Sequence, residues 1–325
     1  MNVIGRKWVF RTKRKADGSI ERHKARLVAK GFNQVASRLL LSLALSSGWS
    51  VRQLDAHNAF LNGKLSETVY MRQLPGSESL YGLKQAPRAW FNHALLSKLS
   101  CAFKIRDLGE PDFFLGIETI KCTDGLMLSQ RRYMTNILKR ADMIDCKPLA
   151  TPLSVLASSS VSTDLYDDPT RYRSLVGALQ YLTVTRPDLS FVVNLLCQHM
   201  HAPTTTHWEH LKRVLRYVND TLSMGLRLRK STSTEMHAFS DSDWAGCPED
   251  RKSTSGYAVF LGTNLVSWVC KKQRTVARSS IEAEAEYKAL ADVCAEVVWI
   301  LSLLREIGAP SIPVPKLWCD NLGAT

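Results

Sequence analysis

The sequence predicts an α+β fold. Strand-like stretches, including two hairpin patterns, lie before Leu128. Three helix-period segments follow. The pattern then returns to four short strands, one long amphipathic helix and a last apolar stretch. Strands and helices gathered in separate runs mark this class better than a strict alternation would. A chain of 325 residues has room for two or more domains.

The elements follow in order. Residues 7–14 read as a strand, Ala16-Asp17-Gly18-Ser19 as a turn, and residues 20–29 as the returning strand of a hairpin. Residues 35–45 are apolar and helix-like. Residues 49–54 form a short strand that delivers Asp55 at its end. Residues 68–72 read as another strand and 86–99 as a helix. Residues 113–121, the turn Thr123-Asp124-Gly125 and residues 126–128 make the second hairpin, and Ser129 is placed to cap a helix ending near Met143. Residues 154–163, with Ser158-Ser159-Ser160, read as a linker. Helices are expected at 170–184, 187–201 and 206–220, and strands near 224–230, 235–241, 256–262 and 265–270. A helix over roughly 281–306 is closed by Gly308-Ala309-Pro310, and residues 316–319 form a final short stretch.

Lys+Arg number 43 against Asp+Glu 30, a formal charge of +13. Such an excess favours a polyanionic partner, most simply nucleic acid. It is concentrated at the start, where Arg6, Lys7, Arg11, Lys13, Arg14, Lys15, Arg22, Lys24, Arg26 and Lys30 face only Asp17 and Glu21. The bland alternative is a solvated basic hairpin. Eight scattered cysteines without Cys-x-x-Cys fit a reduced intracellular chain. No secretory signal and no membrane-spanning stretch is read, so a location in cytoplasm or nucleus is expected.

Three carboxylates carry the chemistry. Asp241 ends the apolar stretch 236–240, Asp320 ends 316–319, and Glu286 lies on the long helix. Glu286 precedes Leu290 by four residues and so begins the stripe Leu290, Val293, Cys294, Val297, Leu301, Leu304 on the core side. Glu282 shares its face, whereas Glu284, about 200° away at roughly 100° per residue, points outward. Acids that converge repel, and such a site is usually neutralised by divalent metal. The competing reading is that Glu282 and Glu286 merely favour the positive end of a helix.

Other motifs yield less. Tyr166-Asp167-Asp168 precedes Pro169, and Asp168 reads as a helix cap. Cys197, His199, His201, His207 and His210 read as a satisfied helical surface rather than a zinc site. Trp208, Trp244, Trp268 and Trp299 are expected to be buried.

Residues 239–246 (Phe-Ser-Asp-Ser-Asp-Trp-Ala-Gly), 251–257, Ala277-Arg278-Ser279-Ser280, Glu284-Ala285-Glu286-Tyr287 and Trp318-Cys319-Asp320-Asn321 together resemble the ribonuclease H domain of copia-type long-terminal-repeat retrotransposons. Residues 7–10, 22–32, 53–63, 80–91, 106–110, 114–118 and 172–182 resemble the reverse transcriptase and connection of the same elements. The resemblance implies a partial reverse transcriptase of fingers and palm over 1–153, a linker and helical connection over 154–234, and a truncated ribonuclease-H-like mixed sheet with helices over 235–325. It implies that Asp241, Glu286 and Asp320 bind two Mg²⁺ ions, with Asp243 accessory, and that Asp55 is a metal-binding aspartate of the polymerase. It further implies contacts to nucleic acid from Arg11, Lys13, Arg22, Lys24, Arg26, Lys30, Lys84 and Gln85. The partners implied are an RNA–DNA hybrid and template RNA and DNA.

The departures from the family pattern set two further expectations. Polymerase catalysis needs a second aspartate pair on a hairpin, and residues 92–103 run past its place as if several tens of residues were removed. Shorter gaps are read after Gln34 and around Gly76-Ser77. The expected product cannot polymerise DNA, since phosphoryl transfer depends on metal positioning. Near Glu286 the chain gains two residues, and after Asn321 it lacks the family's further acidic or histidine-bearing segment and final helix. Residual hybrid cleavage is one reading; a non-catalytic nucleic-acid-binding relic or an unstable product is the other.

Overall fold

The computed structural model describes residues 6–14, 20–29, 35–49, 51, 53–56, 105–153, 164–247, 249–276, 283–309 and 312–321. Lys30, Lys84, Gln85 and Glu282, the segment 277–280, the linker 154–163 and the elements expected at 68–72 and 86–99 lie outside these residues. The chain divides into two units, Met1–Gly31 with Val51–Pro111, and Phe32–Ser50 with Asp112–Thr325. The expected boundaries near 153 and 234 both fall within the second unit.

In the first unit, β1 (Arg6–Arg14) and β2 (Ile20–Ala29) form an antiparallel ladder. The register sets Val9 opposite Arg26, Arg11 opposite Lys24 and Lys13 opposite Arg22. Strand positions alternate between faces, and directly opposed positions share one. Arg11, Lys13, Arg22, Lys24 and Arg26 therefore occupy positions of a single face. β3 (Leu54–Ala56) pairs with β4 (Ile105–Asp107), with Asp55 opposite Arg106. The strand expected at 49–54 is corrected here. Asp55 sits mid-strand, because among the described residues the ladder with β4 covers 54–56, and the Gln53 N–H just before it donates to the Gly109 carbonyl at 2.7 Å.

The second unit begins with α1 (Val35–Ser47). The expected hairpin is broken into β5 (Phe113–Phe114), β6 (Ile117–Cys122) and β7 (Gly125–Ser129), because Leu115 and Gly116 both take positive φ. β8 (Leu226–Arg229) completes an antiparallel sheet of order β5-β6-β7-β8. Gln130 occupies the N-cap position of α2 (Arg131–Arg140) without a side-chain cap bond, and the Ser129 hydroxyl, one residue earlier, accepts the Arg131 N–H at 3.2 Å. α3 (Pro169–Leu182), α4 (Ser190–Gln198) and α5 (Thr205–Asp220) match the three expected helices. Asp168 caps α3 as expected, its side chain accepting from Arg171 N at 2.8 Å. Tyr172, Leu175, Leu179, Leu211 and Leu215 centre the core of this helical group.

Four strands then make a mixed sheet of order β11-β10-β9-β12, with β9 (Met236–Ser242), β10 (Thr254–Leu261), β11 (Asn264–Lys272) and β12 (Lys316–Trp318). β9, β10 and β11 pair antiparallel; β12 pairs parallel to β9. A parallel return needs a crossover, and α6 (Ala283–Glu306) supplies it. Val293, Val297, Ile300 and Leu304 of α6 pack on Met236, Ala238 and Val259. The buried stripe runs through Ala285, Glu286, Ala289 and Ile300; Leu290 and Leu301 are half-buried and Cys294 is exposed. Arg38 of α1 is buried among these elements, donating to Val266 O at 2.9 Å and Val184 O at 2.8 Å.

Candidate metal centre

Parallel pairing of β12 with β9 decides where the acids meet. Trp318 lies opposite Phe239. Two residues further along each strand come Asp320 and Asp241, so both acids stand at the carboxyl ends of adjacent parallel strands, where open sheets commonly build sites. The first turn of α6 brings Glu286 to the same end. Its Oε1 accepts the Ser242 N–H at 2.6 Å and its Oε2 accepts the Cys319 S–H at 3.6 Å.

Glu286 is only 1% exposed, whereas Asp241 and Asp320 are exposed. Among the described residues, Glu286, Cys319 and Asp320 are the one group whose ligand atoms all lie within 4.8 Å of one another. Asp241 stands outside that tight group yet acts on it electrostatically. Burial holds the Glu286 carboxyl above its ordinary range, opposed by the Ser242 N–H and the Cys319 thiol, and reinforced by the charges of Asp241 and Asp320. Among the described residues no cationic side chain is paired with this buried carboxylate, and further acids flank it, a donor set able to hold a divalent cation.

Sequence reasoning missed the side chains that hold this arrangement. Buried Gln273 donates to Ala285 O at 3.0 Å and to Ser242 Oγ at 3.2 Å, tying the start of α6 to the end of β9. An isolated glutamine in a loop carries no spacing signal. Asp243, expected as accessory, accepts the Thr254 N–H through its carboxylate and gives its own N–H to Thr254 O at 3.0 Å. It brackets the strand ends. The extra residues before Glu286 do not displace it, since α6 begins at Ala283 and Glu286 meets Ser242.

The remaining candidates resolve differently. His207 Nδ1 accepts the Thr204 N–H at 3.0 Å in a capping box, and its ring stacks on His199 at 3.7 Å. Trp208 stacks on Tyr166, and Trp268 lies beneath Arg38 with 3.9 Å from guanidinium carbon to ring centre. Trp244 and Trp299, expected to be buried, are exposed at 38% and 45%. Trp244 sits in the β9–β10 loop with Arg251 over its ring, and Trp299 falls on the outer face of α6.

Comparison with known proteins bears on this arrangement. The family model described as reverse transcriptase (RNA-dependent DNA polymerase) matches residues 1–101 and 93–155. The retrovirus-related Pol polyprotein from transposon RE2 of Arabidopsis thaliana is 39% identical over 404 residues, covering all of this chain and 28% of the relative. The corresponding polyprotein from transposon TNT 1-94 of Nicotiana tabacum is 31% identical, with 98% of this chain and 30% of the relative covered. An uncharacterized mitochondrial protein of Arabidopsis thaliana is 52% identical over 205 residues, covering 63% of this chain and 85% of its own length. The chain thus spans less than a third of the two polyproteins it matches.

Proposed function

This chain belongs to the retrovirus-related Pol polyproteins of copia-type retrotransposons, and from that premise we propose that it is a polymerase relic keeping a metal-dependent ribonuclease H site. In this reading 1–153 is the reverse-transcriptase remnant, 154–234 the linker and helical connection, and 235–325 the ribonuclease-H-like part. The observation that carries it is buried Glu286, fixed by the Ser242 N–H between two further acids at the ends of parallel strands.

Asp241, Glu286 and Asp320 would hold Mg²⁺, which when bound polarises a phosphodiester and supplies hydrolytic chemistry. The chain's own groups prepare the place. Ser242 N–H aims Glu286, and Gln273 locks the helix start to the sheet. The hairpin positions Arg11, Lys13, Arg22, Lys24 and Arg26 offer a row of cations to a sugar–phosphate backbone, the main source of affinity for nucleic acid. Choice of the RNA strand would rest on its 2′-hydroxyls.

Polymerase activity is not part of the proposal. The family match falls in two stretches meeting at residues 93–101, and the aligned polyprotein region runs over 404 residues against 325 here. A loss of several tens of residues at this point removes the place for a second aspartate pair, leaving Asp55 without its metal-holding partners. No helix among the described residues is long and apolar enough to cross a membrane; a location in cytoplasm or nucleus accompanies the reading.

The test is cleavage of a labelled RNA–DNA hybrid by purified protein. The reading expects Mg²⁺-dependent loss of the RNA strand only, abolished by Asp320→Asn. One observation favours a second reading, a nucleic-acid-binding relic: Asp241 lies outside the tight group of ligand atoms. Salt-dependent binding of the hybrid without metal-dependent cleavage would establish that alternative.

A further inference from the structure

The third member of the tight ligand group is not an acid. Cys319 follows β12 directly, is half-buried, and aims its Sγ at Glu286 Oε2 from 3.6 Å. Its neighbour Asp320 completes a set of one thiol and two carboxylates. Glu286, the buried member, has no cationic side chain bonded to it among the described residues, and the thiol is the only side chain bonded to its Oε2. We propose that Glu286, Cys319 and Asp320 form a mixed sulfur–oxygen site for a thiophilic divalent cation such as Zn²⁺, overlapping the Mg²⁺ position and blocking it.

One donor pair already stands at the spacing of such an ion, and Asp320 lies within 4.8 Å of both. A tetrahedral zinc takes sulfur at about 2.3 Å and carboxylate oxygen at about 2.0–2.2 Å. Those bond lengths, at a tetrahedral angle, separate the two donors by roughly 3.6 Å. The Cys319 Sγ to Glu286 Oε2 distance is 3.6 Å. Three protein donors leave a fourth position open to water. Magnesium gains nothing from sulfur: it is hard, demands oxygen, and dehydrates reluctantly. Zinc gains the thiolate, and the order of affinities for such donors favours it further. On binding, the Cys319 S–H bond breaks, a metal–sulfur bond forms, and one proton passes to solvent without any change of oxidation state.

This inference rests on the metal-site reading above, and the test separates the two. Purified wild type, Cys319→Ser and Glu286→Gln are titrated with Cd²⁺, whose thiolate complexes absorb in the ultraviolet, and melting is followed with Zn²⁺ and with Mg²⁺. The other cysteines of the chain make the difference between wild type and Cys319→Ser the informative signal. The site predicts a charge-transfer band present in wild type and lost in Cys319→Ser, and zinc affinity at least about tenfold weaker in that variant. The Mg²⁺-induced rise in melting should survive in Cys319→Ser, with an unchanged far-ultraviolet circular dichroism spectrum. Glu286→Gln, which keeps the thiol, should also weaken cadmium binding. An identical band in wild type and Cys319→Ser overturns the sulfur site while leaving the magnesium reading intact. A Cys319-dependent band in a protein that Mg²⁺ does not stabilise supports the sulfur site and sinks the magnesium reading.

Discussion

Replacing Glu286 by glutamine is the most informative single perturbation. In the metal-free protein the folded state resists the Glu286 charge, because burial and the charges of Asp241 and Asp320 outweigh the Ser242 N–H and the Cys319 thiol. A carboxyl held above its ordinary range bears its charge at a greater cost folded than unfolded. Glutamine imitates the neutral form and can still accept the Ser242 N–H, so metal-free Glu286→Gln should melt higher than wild type. With metal the order reverses. Glu286 is 1% exposed, so its pairing with a cation belongs with buried pairs, where removing one partner costs about 3–5 kcal/mol. At about 1.4 kcal/mol per factor of ten, metal affinity falls by roughly two to three and a half orders of magnitude. At a magnesium concentration of about 100 times the wild-type Kd, linkage stabilises wild type by about 2.7 kcal/mol. That is about 5–11 °C in a unit of this size, at roughly 2–4 °C per kcal/mol. The variant, at or below its own Kd, gains no more than about 0.4 kcal/mol. Scanning calorimetry with and without Mg²⁺ reads both effects. A variant that melts lower without metal, or that keeps the full magnesium shift, would refute the argument.

Three further outcomes follow from other parts of the second unit. His207 is held by burial, and by the neighbouring His199 and His210, at about 4 against an ordinary 6.5, with Glu249 pulling the other way. The fold therefore favours neutral His207; this contribution is complete above pH 6.5 and is lost as pH falls toward 4, so acid melts followed by circular dichroism should show stability declining across that window, and less so in His207→Gln. Asp168→Ala removes the α3 cap and should cost about 1 kcal/mol in urea unfolding, with Asp168→Ser largely restoring it. Arg38→Met leaves the Val266 and Val184 carbonyls without their donor and removes the cation over Trp268; with about 1–3 kcal/mol for each buried group left unpaired, a loss of at least about 2 kcal/mol is expected in urea unfolding.

Much of this was legible in the sequence for physical reasons. The stripe through Val293, Val297 and Leu304 gave the crossover helix its buried side and put Glu286 on it. Asp168-Pro169 marked a helix start because a carboxylate that accepts a backbone N–H and a residue lacking one suit that place. The turn residues Ala16-Asp17-Gly18-Ser19 between the strand-like stretches 7–14 and 20–29 marked the basic hairpin. What stayed hidden depends on contacts between distant residues. Nothing local distinguishes Gln273 from a loop glutamine until Ser242 and Ala285 arrive beside it. The short strand around Asp55 is set by which residues of 105–107 reach it, not by its own apolar run. The thiol of Cys319 looks like one more small buried side chain until β12 aligns with β9 and aims it at Glu286. The break at Leu115-Gly116 shows the same limit, since their left-handed backbone is imposed by the surrounding sheet and by Tyr181, whose hydroxyl donates to the Leu115 carbonyl.

The account turns on Asp241 sharing cations with Glu286 and Asp320. Isothermal titration of Mg²⁺ into wild type and into Asp241→Asn, Glu286→Gln and Asp320→Asn, each checked for native circular dichroism, tests this directly. The account predicts measurable binding in wild type and a large loss in every one of the three variants. Unaltered magnesium binding by folded Asp241→Asn would show that this acid stands apart from the ion, and would contradict it.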